Sequence, residues 1–271
     1  MFQIEAVAFW SINVISVGLA LMTLSVLLVS FFPAINSFLT YGKTLKIVNH
    51  KKTKRNNLAN LSIVHELYVP KKWFTHFYVI HFVLSLVNTY VIVFPNSQLT
   101  DLQVIALLNL AQSIRRVYEC QRVSRFSSSA KIHIFHYLVG LIFYASVDVL
   151  PFMMHLLHEE NTISFGYILI PILVFFLASC DQLFTHIILS KQKKYTLPDV
   201  GLFNYVVCPH YMDECLIYFS FLLVRPCIPL LMVMTWVVIN LSASANQSYI
   251  FYKNNETSNI SSRYRIFPGI Y

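Results

Sequence analysis

The sequence predicts an all-α fold, a multi-pass transmembrane bundle of about seven helices, with six as the alternative count. Hydrophobic residues make up 56% of the 271 residues and charged residues only 12%, about half the charged share of a soluble domain. Long apolar runs recur along the chain, and basic residues concentrate in alternate loops between them. These observations predict a single integral-membrane domain over residues 1–271 and exclude a soluble fold.

The apolar runs define the predicted spans, because a hydrocarbon core about 30 Å thick needs about 20 apolar residues per helix. Candidate spans cover residues 5–32, 74–94, 99–117, 132–150, 163–190, 207–224 and 226–249. The first is too long for a cleaved signal peptide and lacks a basic region before it, so we interpret it as a retained anchor. Segment 99–117 is polar for a span, and the last two segments meet at Arg225–Pro226 without a loop, which leaves six spans possible.

Lysine and arginine in the loops predict the orientation of the bundle. Loops 41–73, 118–131 and 190–206 and the C-terminal tail carry these residues, whereas loops 95–98 and 151–162 have none. By the positive-inside rule the N-terminus is lumenal and the C-terminus cytosolic, and only Arg225, in a tight turn, falls on the other side. Topology and anionic lipid therefore account for the net charge of +8, and we expect no nucleic-acid partner.

Several common kinds of site are excluded or disfavoured. The five cysteines form no CxxC, and the pairs His133/His136 and His155/His158 have no further cluster of ligands, so we expect no metal. The chain has six glycines but neither GxGxxG nor GxxxxGK[ST], which excludes a Rossmann or P-loop cofactor site. Any nucleotide would be held by side chains of the bundle and its cytosolic loops. A seven-span receptor is disfavoured, because the polar residues lie in the cytosolic half.

One face of the third predicted span carries four polar side chains. Gln112, Arg115, Arg116 and Glu119 occupy positions i, i+3, i+4 and i+7, so they share a helix face. The two arginines could extend to the interface, but this does not explain why Gln112 and Glu119 line the same face. We therefore favour an inward cluster that holds an anion, because guanidinium groups match phosphate oxygens.

Polar residues also interrupt the fifth and sixth predicted spans. Gln182 and His186 are four residues apart, although a buried histidine satisfied by one neighbour is an equal alternative. His210 and Glu214 precede the apolar run 215–224 at helical spacing. Ionisable side chains at membrane depth are costly and by default mark a site. Both pairs are therefore candidate site residues.

Four separated blocks, in order along the chain, resemble the steroid 5α-reductase family and most closely its polyprenol (polyprenal) reductase branch. Residues 201–214, GLFNYVVCPHYMDE, fit the pattern G-x-F-x-Y-V-x-x-P-[HN]-Y-x-x-E. Residues 112–120 fit Q-S-x-R-R-x-x-E-C, and residues 69–78 are similar to V-P-K-R-W-F-x-H-F-Y. Residues 181–189 resemble H-Q-x-x-x-H-x-I-L, with Asp181 at the first histidine. The resemblance identifies 90–271 as the catalytic region.

The resemblance implies NADPH-dependent reduction of an α,β-unsaturated carbonyl, from polyprenal to dolichal, in the endoplasmic reticulum membrane. This reaction would serve dolichol synthesis and N-glycosylation. The hypothesis gives catalytic roles to His210, Glu214, Tyr211 and Tyr249. Cofactor-binding roles fall to Gln112, Arg115, Arg116, Glu119, Gln182, His186, Tyr205, Tyr252 and Arg263. Of these, Arg115, Arg116 and Arg263 would hold phosphates, with Lys193 and Lys194 at the same end. The proton donor stays open among Tyr205, Tyr211, Tyr249 and Glu66.

The tail departs from the family pattern. Tyr249 stands where the family has a functionally important histidine, and Glu256 and residues 259–261 replace a phenylalanine and a Tyr-Pro-Lys sequence. A tyrosine can donate a hydrogen bond but carries no charge near neutral pH. These differences motivate one alternative, a pseudoenzyme that scaffolds glycosylation machinery. A second alternative keeps the enzyme class but changes the substrate to a 3-oxo-steroid or an enoyl lipid.

Overall fold

A computed structural model describes residues 2–31, 67–94, 98–127, 130–193, 196–254, 260 and 262–271. Over these residues the chain forms seven long helices. They are α1 (Phe2–Phe31), α2 (Phe74–Val93), α3 (Asp101–Tyr118), α4 (Ile134–Leu156), α5 (Phe165–Lys191), α6 (Pro209–Val224) and α7 (Ile228–Asn254). Each predicted span coincides with one helix, so the all-α bundle is confirmed. The basic loop up to residue 66, Glu66 and Lys194 lie outside the described residues.

Five of the seven helices are long and apolar enough to cross a membrane: α1, α2, α4, α5 and α7. In contrast, α3 has 18 residues and α6 has 16, and neither meets that criterion within the described chain. Both helices carry polar side chains that the bundle encloses, which lowers their hydropathy. The two segments whose assignment as membrane spans the sequence left undecided are therefore inner helices of the bundle.

Local sequence explains where these inner helices begin. Thr100 and Gln103 form a reciprocal capping box at the start of α3, which satisfies backbone donors that a helix start leaves free. Pro209 occupies the first turn of α6, where its missing N–H costs nothing. The predicted span 207–224 therefore starts two residues too early, because residues 207 and 208 pair with the tail.

The helices pack into one core. α2 packs against α3 and α4, α5 against α6, and α7 against α1 and α6, while α4 also contacts α1. Gly140 on α4 faces the ring of Phe77 on α2, and a Cβ at that position would lie 2.7 Å from a ring carbon of Phe77. A larger residue at position 140 would therefore displace the Phe77 ring.

Two three-residue strands join the starts of α2 and α4. Strand β1 (Tyr68–Pro70) pairs antiparallel with β2 (Lys131–His133), with Tyr68 opposite His133 and Pro70 opposite Lys131. Since β2 ends at residue 133, α4 begins later than the predicted span 132–150 and continues through Pro151 to Leu156. The ribbon fixes the two helices side by side at the end where both begin.

A small second core, which we call the tail layer, combines loop residues 196–208 with tail residues 262–271. The backbone N–H groups of Val207 and Cys208 donate to the carbonyl oxygens of Tyr264 (2.9 Å) and Arg265 (3.1 Å). Apolar side chains of the loop, the tail and the end of α7 pack together there; they are Leu197, Phe203, Val207, Cys208, Ala245, Phe251, Tyr252, Ile260 and Ile266. This layer lies against the start of α6 and the end of α7.

Candidate active site

A buried polar cluster lies where α3 and α5 end and α6 begins; we call this the polar end of the bundle. Arg115 donates hydrogen bonds to the side-chain oxygens of Gln112 (2.7 Å), Glu119 and Gln182. Gln112, Glu119 and Gln182 are almost fully enclosed. The face that the sequence predicted on α3 therefore points into the bundle and not toward lipid headgroups.

Arg116 extends the cluster toward α2. Its guanidinium group pairs with Glu119 and donates to the hydroxyl of Tyr78, and its Cζ atom lies 4.5 Å from the centre of the Tyr78 ring. On the other side, Nδ1 of His186 lies 2.7 Å from the carboxylate of Glu119. One carboxylate thus connects both arginines with α5.

Gln182 joins this group to α6. Its Nε2 atom donates to the backbone oxygen of His210 at 2.8 Å and to the carboxylate of Glu214 at 2.6 Å. The ring centroids of His186 and His210 are 5.5 Å apart. A single amide therefore sets the position of α6 relative to α3 and α5, and it brings both histidines to one wall.

The charges in the cluster compensate one another. Both guanidinium groups pair with the carboxylate of Glu119, and a second carboxylate, that of Glu214, joins the cluster through Gln182. Glu119 lies in the π-helical turn Glu119–Val123 beyond α3. Burial raises the pKa of its carboxyl, but the hydrogen bond with His186 and the adjacent arginines outweigh burial and lower the pKa to about 2. Glu119 therefore stays ionised at physiological pH and holds both arginines in place.

A cavity of about 310 Å³ adjoins the cluster. Its polar wall consists of Arg116, Gln182, His186, His210 and Glu214. The rest of its surface is mostly apolar and comes from α1, α2, α4 and α7, including Val26, Phe74, Phe77, Phe143, Trp236 and Val237. One chamber thus offers dense hydrogen bonding at one end and an apolar body beyond it.

Three tyrosines line this cavity that sequence reasoning missed: Tyr78, Tyr144 and Tyr218. Tyr218 stands four residues after Glu214 and eight after His210, so helical spacing could have placed it on the same stripe of α6. Tyr78 closes the block 69–78, and its position next to Arg116 could not be predicted without tertiary structure. Tyr144 stands four residues before Asp148 on α4, a spacing that sequence reasoning did not use.

The structure brings together most of the predicted site residues. The polar cluster and cavity wall include Gln112, Arg115, Arg116, Glu119, Gln182, His186, His210, Tyr211 and Glu214. The aromatic ring of Tyr211 lies 4.3 Å from that of His210, measured between centroids. Residues from three different blocks of the sequence thus meet at one wall.

The other predicted residues lie in or beside the tail layer, and none of them lines this cavity. Tyr205 is mostly exposed, and Tyr252 is buried among apolar side chains. Arg263 donates to the backbone oxygen of Pro198 at 2.9 Å and pairs with Asp199. Tyr249 packs against Arg265, whose Cζ atom lies 4.6 Å from the ring centre.

The family follows from comparison with known proteins. Residues 126–271 match the model of the 3-oxo-5-alpha-steroid 4-dehydrogenase family. The chain belongs to this family. Its members are oxidoreductases, and the resemblance found in the sequence is confirmed. The match covers the tail layer and all the helices from α4 onward, while the arginine face of α3 lies before it.

Relatives from this family carry a more specific name. Polyprenal reductase of Saccharomyces cerevisiae is 32% identical over 233 residues, which are 86% of this chain and 85% of that protein. Polyprenal reductase of Ailuropoda melanoleuca is 27% identical over 271 residues, covering 83% and 85% of the two chains. Polyprenal reductase 1 of Oryza sativa subsp. indica is 28% identical over 205 residues, covering 61% and 58%.

Proposed function

We propose that this protein is an NADPH-dependent reductase of the endoplasmic reticulum membrane that converts polyprenal to dolichal, for dolichol synthesis and N-glycosylation. The observation that carries the proposal is the divided cavity, in which a polar wall adjoins an apolar body. A reaction between a charged dinucleotide and an apolar aldehyde needs a polar and an apolar environment in one cavity. The predicted orientation would put the polar end at the cytosol, where the dinucleotide is available.

The polar cluster fits the nicotinamide and ribose portion of the cofactor better than its phosphates. The cluster contains two carboxylates beside its two arginines, Glu119 paired with both and Glu214 held by Gln182, so little net positive charge remains for an anion. A carboxamide and ribose hydroxyls both donate and accept hydrogen bonds, and the cluster presents both kinds of group. We therefore assign Gln112, Arg115, Arg116, Glu119, Gln182, His186, His210 and Glu214 to that portion.

The phosphates then require other cations. Arg263 is occupied by Asp199, whereas Arg265 is half-buried and has no carboxylate partner in the described part of the chain. The rings of Tyr249 and Tyr271 hold the Arg265 guanidinium between them, with their centres 4.6 and 4.9 Å from its Cζ atom. We assign Arg265 to the phosphates, in place of the role first given to Arg263.

Hydride from NADPH would reduce the β-carbon of the unsaturated aldehyde, and the protein must polarise the carbonyl and provide one proton. Tyr78, Tyr144 and Tyr218 line the cavity next to its polar wall. The hydroxyl of Tyr218 is buried and makes no hydrogen bond to any described residue. We therefore propose this hydroxyl as the donor that polarises the substrate carbonyl.

Turnover of polyprenal by purified protein in detergent tests the proposal, with NADPH and NADH compared. Arg115→Ala and Glu214→Gln should each raise the KM for NADPH by about tenfold, the equivalent of about 1.4 kcal/mol of lost binding. Glu160→Gln, far from the cluster, is the matched control and should leave KM unchanged. Equal effects of all three variants would contradict the assignment.

Two further measurements separate the alternatives. The same preparation is also assayed with a 3-oxo-Δ4-steroid and with an enoyl lipid. If it reduces one of these instead of polyprenal, the proposed substrate changes but the proposed enzyme class stays. Calorimetry with NADPH tests for a pseudoenzyme scaffold, because a protein that binds no NADPH cannot be the proposed reductase.

A further inference from the structure

A histidine and a carboxylate are paired deep in the bundle, outside the polar cluster. Nδ1 of His81 on α2 lies 2.6 Å from Oδ2 of Asp148 on α4, and both side chains are almost fully enclosed, at 0% and 1% exposure. Asn88 donates from its side-chain amide to the backbone oxygen of Asp148 at 2.6 Å. The pair is therefore held rigidly between two helices.

The depth of the pair argues against a purely structural role. His81 and Asp148 lie well inside their helices, several residues from either end. Ionisable groups at this depth are costly and as a rule are retained for function. Moreover, Nε2 of His81 and Oδ1 of Asp148 make no hydrogen bond to any described residue. A pair selected for stability alone would satisfy these atoms or replace them with apolar groups.

The pair lies directly behind the cavity wall. The ring of His81 packs against that of Tyr144, with 5.3 Å between the centroids. Tyr144 lines the cavity, and its ring lies 5.3 Å from that of Tyr78, which binds Arg116. One tyrosine thus separates a buried site that can hold a proton from the chamber in which the substrate would react.

We propose that Tyr144 delivers the proton of the reduction and that His81 and Asp148 position it through the packing of the His81 ring against the Tyr144 ring. This inference rests on the proposed function. Hydride supplied by NADPH would form the new C–H bond at the β-carbon, and the electrons of the double bond would move toward the carbonyl. The α-carbon of the resulting enolate would then take the proton of Tyr144, and water that enters the cavity between turnovers would return the tyrosinate to its neutral form.

The test compares Asp148→Asn and the double variant His81→Leu/Asp148→Leu with a matched control. Ser85→Ala/Ser113→Ala removes a hydrogen bond of 2.8 Å between equally buried hydroxyls of α2 and α3. Asp148→Asn and the double leucine variant should lower kcat for polyprenal on the order of 10²-fold, with the KM for NADPH unchanged. The serine variant should retain kcat.

The double leucine variant separates the positioning of Tyr144 from a structural role. An apolar pair of similar volume generally preserves folding, so this variant should keep its melting temperature yet lose kcat. Retained kcat in that variant would overturn the proposal. A solvent deuterium isotope effect on kcat that is present in the wild type and altered in Asp148→Asn would support it.

Infrared spectroscopy gives a readout that does not depend on the substrate. The difference spectrum between wild type and Asp148→Asn should contain a carboxyl band that shifts in D2O and again in His81→Leu. Absence of such a band overturns the hydrogen-bonded pair that positions Tyr144, even if polyprenal is reduced. A normal band in a protein that does not reduce polyprenal instead overturns the proposed substrate and leaves the pair intact.

Discussion

Both ends of the bundle contain arginine–carboxylate pairs, yet the two arrangements differ in what lies beside them. At the polar end, Arg115 and Arg116 surround Glu119 next to the cavity. At the opposite end, Arg225 pairs with Asp101 at 2.7 Å and with Glu159 at 3.2 Å. The same residue types therefore lie beside a cavity in one place and connect loops in the other.

The opposite end shows why Arg225 breaks the charge pattern of the loops. Asp101 also accepts hydrogen bonds from the backbone and side chain of Asn161, both at 3.1 Å, so it connects the start of α3 with the loop after α4. Burial lowers the pKa of Arg225, but the hydrogen bond to Asp101 outweighs burial and the pKa is raised. The carboxylate of Asp101 stabilises the charged form of Arg225 and balances its charge locally. The position of Arg225 therefore does not report membrane orientation.

The largest expected effect comes from Glu119→Gln, because this change leaves two enclosed guanidinium groups without their shared carboxylate. Removing one partner of a buried ion pair typically costs about 3–5 kcal/mol. We expect that loss in the free energy of unfolding, measured in detergent, together with loss of NADPH binding. Glu159→Gln is the control, because Glu159 is 46% exposed, and a loss as large as that of Glu119→Gln would remove the contrast between the two ends.

Asp101→Asn should affect stability without affecting the reaction. The buried guanidinium of Arg225 would lose its carboxylate partner, which costs about 1–3 kcal/mol for a hydrogen bond to a charged group. A lower melting temperature with unchanged KM for NADPH and polyprenal is the expected result. If KM for either substrate rose as well, the opposite end would have to be counted as part of the site.

Gly140→Ala tests the apolar body of the cavity. The new methyl group would meet the Phe77 ring at 2.7 Å and displace it, and overpacking of this kind costs about 1–3 kcal/mol. We expect a KM for polyprenal about tenfold higher, or about 1.4 kcal/mol, with NADPH binding unchanged. Gly166→Ala is the control, since no atom lies within 4 Å of its added carbon. Equal KM values for polyprenal in the two variants would contradict a role for this wall in binding the substrate.

Tyr249→His should have the smallest effect. The change restores the residue that the family pattern has at this position, and it weakens a cation–π contact with Arg265 worth about 0.5–1 kcal/mol. We expect a rise in polyprenal turnover of less than about tenfold. Tyr271→His alters the other ring against Arg265 without restoring the pattern. A rise in that variant as well would show that Arg265, and not the restored histidine, is responsible.

Local patterns predicted the helices and most of the polar cluster correctly. Hydropathy located all seven segments, and the spacing of Gln112 and Glu119 placed them on one face. Helix boundaries were less accurate, because β2 and the tail layer take residues that apolar runs had assigned to helices. The tail layer itself was not predicted, since its loop and tail meet only through long-range backbone hydrogen bonds.

The sequence by itself determined the membrane bundle, the family and the polar face of α3, because each depends on residues close together in the chain. Only the tertiary structure decided which tyrosines line the cavity, that Arg263 pairs with Asp199, and that His81 meets Asp148. The two pairs, Arg263 with Asp199 and His81 with Asp148, each join residues more than sixty positions apart. Their formation depends on how helices pack, and helical periodicity carries no information about which neighbour a given face will meet.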